Sequence, residues 1–333
     1  MTLPVLAAPM AGGPTTPELV VAAARAGGMG FIAGGYRTPD ALTEHLRVVR
    51  AGTATFGVNL FAPNPVPVDP AAYARYRDEV RPEAERLGAT VPEHPLEDDD
   101  HWQDKIDLLT SDPVPVVSFT FGIPDRSALA ALRAAGSLLM QTVTSPDEAA
   151  HAADAGVDAL VVQGCDAGGH SATLTPAIIP PGRPLPELVA AVRARVDLPV
   201  IAAGGVDTSA RAAEAIGARA EATVVGTALL RAPEAGTSAA HRAALSGPDR
   251  GPTIMTLAFS GRPARALRNS FLTAHHEHAP LGYPALHHLT SPMRRMAAAV
   301  DDPEHVNLWA GVGYRSSAER PAAAILEDLA SGL

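Results

Sequence analysis

The strongest constraint in the sequence is a repeated two-part unit. A short run of Val, Ile, Leu and Ala is followed, again and again, by an alanine-rich stretch with helical spacing. The apolar runs lie at Val5–Ala8, Gly30–Ala33, Thr55–Leu60, Val116–Phe121, Leu138–Val143, Ala159–Gln163, Val200–Ala203 and Thr223–Gly226. They are nearly continuous rather than alternating in polarity, as expected of parallel strands covered on both faces. Between them the spacing predicts helices near Pro17–Ala26, Pro39–Arg50, Arg126–Ala135, Pro146–Ala155, Pro186–Val196 and Ser209–Ile216. Thr16-Pro17, Thr38-Pro39 and Ser145-Pro146 each set a hydroxyl before a proline, whose missing N–H is harmless at the first helical position. Ser145-Pro146-Asp147-Glu148 reads as a capping box. Gly27, Gly136, Gly156 and Gly217 stand where helices need a terminator. Repetition of this unit favours a closed barrel over an open sheet.

The fold expected is therefore α/β, a (β/α)8 TIM barrel, with a smaller and mostly helical lobe over its mouth. Two segments break the rhythm. Ala62–Thr110 is long for one βα step and reads as an excursion with helices near Ala71–Leu87 and His101–Leu109. Gly247–Asp302 is rich in Pro, His and Arg, shows no βα alternation, and reads as a lobe covering the barrel mouth. Ser316–Leu333 reads as an amphipathic helix packing back on the barrel. The expected division is a barrel over residues 1–246, completed by residues 312–333, and a lobe over 247–311.

The chain has 333 residues and is 47% hydrophobic, enough for one large core. A formal net charge of -10 opposes a nucleic-acid partner, whose binding surface needs basic charge. Cys165 is the single cysteine, so no internal disulfide and no cysteine-built zinc site is expected. That fits a reducing cytoplasm. The N-terminal stretch lacks the basic region and full apolar run of a signal peptide, and no run is long enough to span a membrane. A homodimer is left open.

In a barrel of this kind the chemistry lies just past the C-terminal ends of the strands. Glycine-rich loops stand there: Ala8-Pro9-Met10-Ala11-Gly12-Gly13, Gln163-Gly164-Cys165-Asp166-Ala167-Gly168-Gly169-His170, Ala203-Gly204-Gly205-Val206-Asp207 and Gly226-Thr227. Without side chains, the last two loops let backbone N–H groups approach a phosphate, whose charge a helix N-terminus favours. A bland reading makes each a tight turn, but their pairing after the seventh and eighth strands favours phosphate. His170 stands apart from the other histidines because it lies on a glycine-rich loop at a strand end. Its ordinary pKa of ~6.5 suits a base near neutrality.

Together with Gly57-Val58-Asn59-Leu60 and Ala203-Gly204-Gly205-Val206, these loops resemble those of the nitronate monooxygenases, formerly 2-nitropropane dioxygenases. Phe259-Ser260-Gly261-Arg262-Pro263-Ala264-Arg265 and Asn307-Leu308-Trp309-Ala310-Gly311 resemble the class I branch. The resemblance runs over almost the whole chain. It implies FMN at the barrel mouth, held by Pro9, Met10, Ala11, Asn59, Gln163, Gly168, Gly169, Gly204, Gly205, Gly226 and Thr227. It implies that His170 is the catalytic histidine, and that Tyr283, His287 and Phe121 meet the substrate. The implied substrates are an alkyl nitronate and O2. Met10 and Phe121 fit barrel core as well as flavin contacts. Arg262, Arg265 and Asn269 are read either as lining the mouth or, for the arginines, as surface ion pairs. The chain departs from the family pattern at Ala172 (glycine), His287 (tyrosine), Ser291 (lysine) and Val312 (glutamine). The lost lysine implies a weaker hold on an anionic substrate such as propionate 3-nitronate.

Three other signals are set aside. His275-His276-Glu277-His278 lacks metal-ligand spacing and reads as a solvated loop. Asp98-Asp99-Asp100 reads as a solvated loop or helix start. Cys165 reads as a small packing residue. Against the monooxygenase stand an FMN-dependent NAD(P)H reductase of the same superfamily, acting on enoyl thioesters or quinones, and a flavin-binding protein without catalysis. An FMN-free phosphate-binding barrel stands further off.

Overall fold

The computed structural model describes residues 2–333. In chain order its elements are β1 (Val5–Ala7), α1 (Pro17–Arg25), β2 (Met29–Ala33), α2 (Pro39–Gly52), β3 (Phe56–Ala62), α3 (Pro70–Arg86), α4 (Trp102–Ser111), β4 (Val116–Phe121) and α5 (Arg126–Ala134). There follow β5 (Leu138–Val143), α6 (Pro146–Ala155), β6 (Ala159–Gln163), β7 (Gly169–His170), α7 (Leu185–Arg193), β8 (Val200–Ala203), α8 (Ser209–Gly217) and β9 (Ala222–Val225). The remainder is α9 (Ala239–Ser246), β10 (Ile254–Thr256), β11 (Ala264–Ala266), α10 (Ser270–His275), α11 (Ala285–Ala299) and α12 (Ala322–Ala330). Strands β1 to β6, β8 and β9 form a closed parallel barrel, with β9 returning to β1 through Val5↔Thr223, Leu6↔Val224 and Ala7↔Val225. The apolar runs of the sequence are thus the barrel strands, and the fold is a (β/α)8 barrel.

Near-continuous apolar runs make sense because both faces of every strand are buried. Leu6, Phe31, Met140, Val161 and Val224 fill the inside. Val58, Leu60, Val117, Phe119, Leu160 and Val162 face outward under Leu46, Leu132 and Val189 of the helices. Thr16, Thr38 and Ser145 cap α1, α2 and α6, their hydroxyls accepting from the N–H groups of Leu19, Ala41 and Glu148. The capping box does not close as expected. Glu148 instead accepts from the Thr144 N–H at 2.5 Å and from Thr173 Oγ1 and the Leu174 N–H, both at 2.7 Å. It ties α6 to the segment after β7. Gly217 lies inside α8, and Arg219, at φ +77°, takes the left-handed turn.

Outside the barrel three expectations change. The lobe contains α10 and α11 as its helices, but also β10 and β11, which pair with β7 in a three-stranded antiparallel sheet. Its strands are too short to show alternation in the sequence. The closing helix is shorter than expected, Ala322–Ala330, and packs Ile325, Leu326 and Leu329 against Val5 and Leu19. The excursion is not separate from the lobe: Tyr73, Tyr76 and Val80 of α3 share one core with Phe259, Leu286, Leu289 and Met293. We propose a two-part organisation, barrel 1–246 closed by α12 and lobe 247–311, with α3 packed on the lobe's side.

Phe119 lies between the barrel and its helical shell, fully buried on β4 and edge-on to Trp102 at 6.1 Å. Phe119→Ala is expected to destabilise the barrel by about 3–5 kcal/mol, because the rigid shell cannot collapse into the space left behind. Urea unfolding of the two proteins measures it.

Candidate active site

A cavity of about 530 Å3 opens where the barrel strands end. That volume lies within the ~300–1,000 Å3 usual for small-molecule and cofactor sites. Its wall includes Pro9, Met10, Ala11, Asn59, Phe121, Gln163, Gly168, Gly169, His170, Gly204, Gly205, Gly226, Thr227 and His287. The sequence candidates thus meet in one place. Tyr283 stands just behind the wall, its ring 5.9 Å from His170 and 5.2 Å from Phe121.

One end of the cavity is built from backbone. Gly204 and Gly205 have φ +101° and +75°, and a Cβ on Gly204 would lie 2.8 Å from the Gly164 carbonyl. The N–H groups of Gly204, Gly205, Gly226 and Thr227 have no protein acceptor among the described residues. Four free donors around small residues form a cradle for an anion. Gly168 has a different reason to be glycine. A Cβ there would lie 2.4 Å from the Gly311 nitrogen, so it lets the lobe segment 309–311 settle against the barrel loop. The same strap is fastened by the Gly311 N–H, which donates to Thr227 Oγ1 at 2.9 Å.

The other end holds the titratable groups. His170 is not on a free loop, as its glycine neighbours suggested. It is half of β7, paired with Ala264 of β11, while the Ser171 N–H donates to the Pro263 carbonyl. Gln163 Nε2 donates to the His170 carbonyl at 3.2 Å, and the Ala172 N–H donates to Gln163 Oε1 at 2.8 Å. Gln163 therefore fixes the backbone on both sides of His170, keeping a second N–H and lone pair for a ligand. Phe121, Trp309 and Tyr283 surround the imidazole at 5.6, 5.3 and 5.9 Å between centroids. Burial, then the charges of Arg262 and Arg294, lower its pKa to about 3. It is neutral throughout the physiological range.

Two arginines give this end its charge. Arg262 has no exposed surface. Its guanidinium lies 4.0 Å over the Phe121 ring and donates to the Thr173 carbonyl. It is neither a mouth residue nor a surface ion pair. Its stacking helps hold Phe121 at φ +81°, a left-handed conformation rare for a bulky residue. Arg294 lines the cavity, donating to Asn307 Oδ1 at 3.2 Å and to the carbonyl and Nδ1 of His287 at 3.0 and 3.2 Å. Among the described residues neither guanidinium has a carboxylate within ion-pair distance, and Arg262 Nε and Nη1 and Arg294 Nε are buried without a partner. Desolvation lowers both pKa values to about 10, so both stay charged. Asp207, the acidic residue of the wall, is engaged by Arg211 and Ser316. His287 stacks on Tyr36 at 4.1 Å and 7°, and burial holds its pKa well below the ordinary value.

Other candidates belong to the scaffold. Arg265 donates to the Cys165 and Thr253 carbonyls. Asn269 caps α10 and donates to the Pro303 and Val306 carbonyls. Burial pushes the Cys165 thiol up, away from nucleophilic use. His275 is buried and bonds Glu83 at 3.0 Å, so the His-rich segment is not a solvated loop throughout. Among the described residues no metal-binding cluster is found. Nor is the acidic run merely solvated. Asp100 accepts the Tyr36 N–H at 2.9 Å and pairs with Lys105 at 2.7 Å, while Asp98 pairs with His288. Tyr36, Ser260, Arg294, Asn307 and Trp309 were not picked out individually as site residues from sequence. Tyr36 had a signal, since it follows Gly34-Gly35 past a strand end. Arg294 had none, because nothing in a helical pattern marks a buried cation.

Lys105 is 1% exposed. Lys105→Met leaves Asp100 buried without its partner and is expected to cost about 3–5 kcal/mol, whereas adding Asp100→Asn recovers part of that loss. Thermal and urea unfolding of the single and double variants check this.

A closed barrel with a backbone anion cradle at one end of its mouth and a caged neutral histidine at the other defines a cofactor-dependent barrel enzyme. The nitronate monooxygenase family model matches residues 1–332. Proteins of several Staphylococcus aureus strains described as probable nitronate monooxygenases are 33% identical over 98% of this chain and 93% of their own length. The crystal structure of a nitroalkane oxidase from Streptomyces ansochromogenes superposes with a TM-score of 0.93 at 42% identity, covering 100% of this chain and 96% of that one. FabK from Thermotoga maritima superposes with a TM-score of 0.76 at 26% identity over 99% and 92% of the two chains. The chain belongs to the nitronate monooxygenase family, a family of flavin-dependent oxidoreductases. No described helix is long and apolar enough to cross a membrane.

Proposed function

We propose that this protein is an FMN-dependent nitronate monooxygenase that uses O2 to denitrify alkyl nitronates oxidatively. The observation that carries this reading is the charge of the inner end. Two buried guanidiniums without carboxylate partners flank a neutral histidine. A buried cation without a counter-ion is costly, and an anionic substrate supplies what is missing. A nitronate is a small planar anion of that kind. The weak basicity of His170 agrees, since a nitronate arrives already deprotonated.

The residues present fit FMN. Its phosphate suits the four free N–H groups of Gly204, Gly205, Gly226 and Thr227, which need no basic side chain to hold it. Pro9, Met10, Ala11 and Asn59 would line its ring system and Gly168 and Gly169 its edge, with Gln163 offering a donor and an acceptor. When bound, FMN supplies the electron acceptor that the polypeptide lacks and the route from it to O2. The protein's own part is to hold the nitronate by Arg294, with the charge of Arg262 adding to the field from behind Phe121, and to exclude water with Phe121, Tyr283 and Trp309. Tyr36 and His287 support that wall as one stacked pair. Arg294 stands one turn beyond Ser291 on α11, so a cation is present although the family's lysine is absent. The likeness to FabK favours a second reading, a nicotinamide-dependent reductase with the same cofactor site.

Purified protein is expected to be yellow, to consume O2 and to release nitrite from ethylnitronate. Its kcat/KM for ethylnitronate is expected to show no histidine inflection near pH 6.5. A depressed pKa keeps His170 neutral as pH falls, and protonation sets in only near 3. A rate profile from pH 5 to pH 8 checks this. Gly204→Ala is expected to strip the cofactor, because its Cβ would meet the Gly164 carbonyl at 2.8 Å in a conformation that side chains resist. The ratio of flavin to protein absorbance after gel filtration measures the loss.

A further inference from the structure

Tyr36 stands at the inner end of the cavity in a conformation that its side chain resists. Its φ is +63°, in the left-handed region that is rare for a bulky residue. The turn is held from outside. The Tyr36 N–H donates to Asp100 Oδ1 at 2.9 Å, and Asp100 is paired with the buried Lys105. The ring is fixed too, stacked on His287 at 4.1 Å and edge-on to Phe61 at 5.2 Å. A strained backbone kept in place by a buried ion pair marks a residue whose direction matters.

Counting partners places the protons. Tyr283 Oη lies 3.4 Å from Tyr36 Oη, and among the described residues neither hydroxyl has another protein partner. Tyr283 is 8% exposed and stands behind the cavity wall, whereas Tyr36 is part of that wall. The Tyr36 oxygen is therefore the acceptor within reach of Tyr283, and a buried hydroxyl proton without an acceptor is unfavourable. Tyr283 donates to Tyr36, and the Tyr36 proton turns to the cavity. Burial pushes the Tyr36 pKa up to about 12, so the hydroxyl keeps that proton. The neighbouring ring is fixed in the same sense. Arg294 Nη2 lies 3.2 Å from His287 Nδ1. A guanidinium only donates, so Nδ1 holds the lone pair and Nε2 the proton. Nε2 has no protein partner and is not among the atoms sealed from the cavity. The stacked pair thus offers the cavity two donors.

We propose that Tyr36 is a substrate-binding residue, its hydroxyl turned inward by Tyr283 and donating to one oxygen of the nitronate beside the Nε2–H of His287. This rests on the proposed function and adds to the residues that hold its substrate. Tyr283 becomes a positioning residue that acts through Tyr36, instead of the substrate contact that the sequence resemblance implied. Arg294 supplies charge, and the stacked donors supply direction. A nitronate suits them because its two oxygens share the negative charge and both accept, and hydrogen bonds to an ionised acceptor are the stronger kind.

Tyr36→Phe, Tyr283→Phe and the double variant test this in the holoenzyme. Nitrite, a two-oxygen anion, is titrated by calorimetry, and KM for ethylnitronate is measured beside it. Tyr36→Phe keeps the stack on His287 and is expected to weaken nitrite and raise KM by about tenfold or more, the worth of a hydrogen bond to a charged group. Tyr283→Phe leaves the Tyr36 hydroxyl free to turn. It is expected to weaken nitrite by a smaller factor alone, and by nothing further once Tyr36→Phe is present. Nitrite affinity unchanged in either single variant, no nitrite binding by the wild type, or a Tyr283→Phe effect undiminished in the double variant overturns the inference. Absence of nitrite release from ethylnitronate refutes the proposed function alone, because the titrations need no turnover.

Discussion

The pairing of β7 with β11 is the interaction on which the site depends. It consists of two residue pairs, Ala264↔His170 and Arg265↔Gly169. Yet it joins a loop of the barrel to a strand of the lobe, and so converts two surfaces into one cavity. His170 is aimed by it and Gln163 locks it from below. The Gly168–Gly311 contact brings Trp309 against the imidazole, because two backbones meet there without side chains between them. An imidazole on a free loop would lose orientation with every fluctuation. An imidazole on a strand inherits the rigidity of the sheet.

Burial does the electrical work. The same apolar cage that confines His170 removes the water that would stabilise its charged form, and the two guanidiniums deepen the effect. Arg262 and Arg294 lose stability by being buried without carboxylates. That cost is offset when an anionic substrate stands beside them, as the proposed function requires. At the opposite end the anion is met by backbone N–H groups alone. The chain can therefore hold a phosphate while carrying a net charge of -10.

Much of this was legible in the sequence, for physical reasons that differ from part to part. The barrel strands were readable because strands buried on both faces must be apolar throughout, and the helix starts because Thr16, Thr38 and Ser145 are local caps. The glycine cradle was readable because few residues other than glycine tolerate that backbone. What stayed hidden was made by distant pairing. The β10-β11-β7 sheet is too short to pattern, so His170 looked like a loop residue. Arg262 and Arg265 looked like mouth or surface charges because a stacking or carbonyl partner leaves no trace in spacing. Asp100 looked solvated because its partner Lys105 and the Tyr36 N–H lie on other elements.

On the proposed function, the inner end of the cavity receives a nitronate rather than a hydride donor. Anaerobic reduction of the bound flavin tests it most directly, with ethylnitronate, propionate 3-nitronate, NADH and NADPH offered in turn. Loss of the oxidised flavin spectrum is expected with the nitronates, faster for the dianion because two guanidiniums lack counter-ions, and no change with the nicotinamides. Rapid bleaching by NADH or NADPH and none by either nitronate would contradict it and make the protein a reductase.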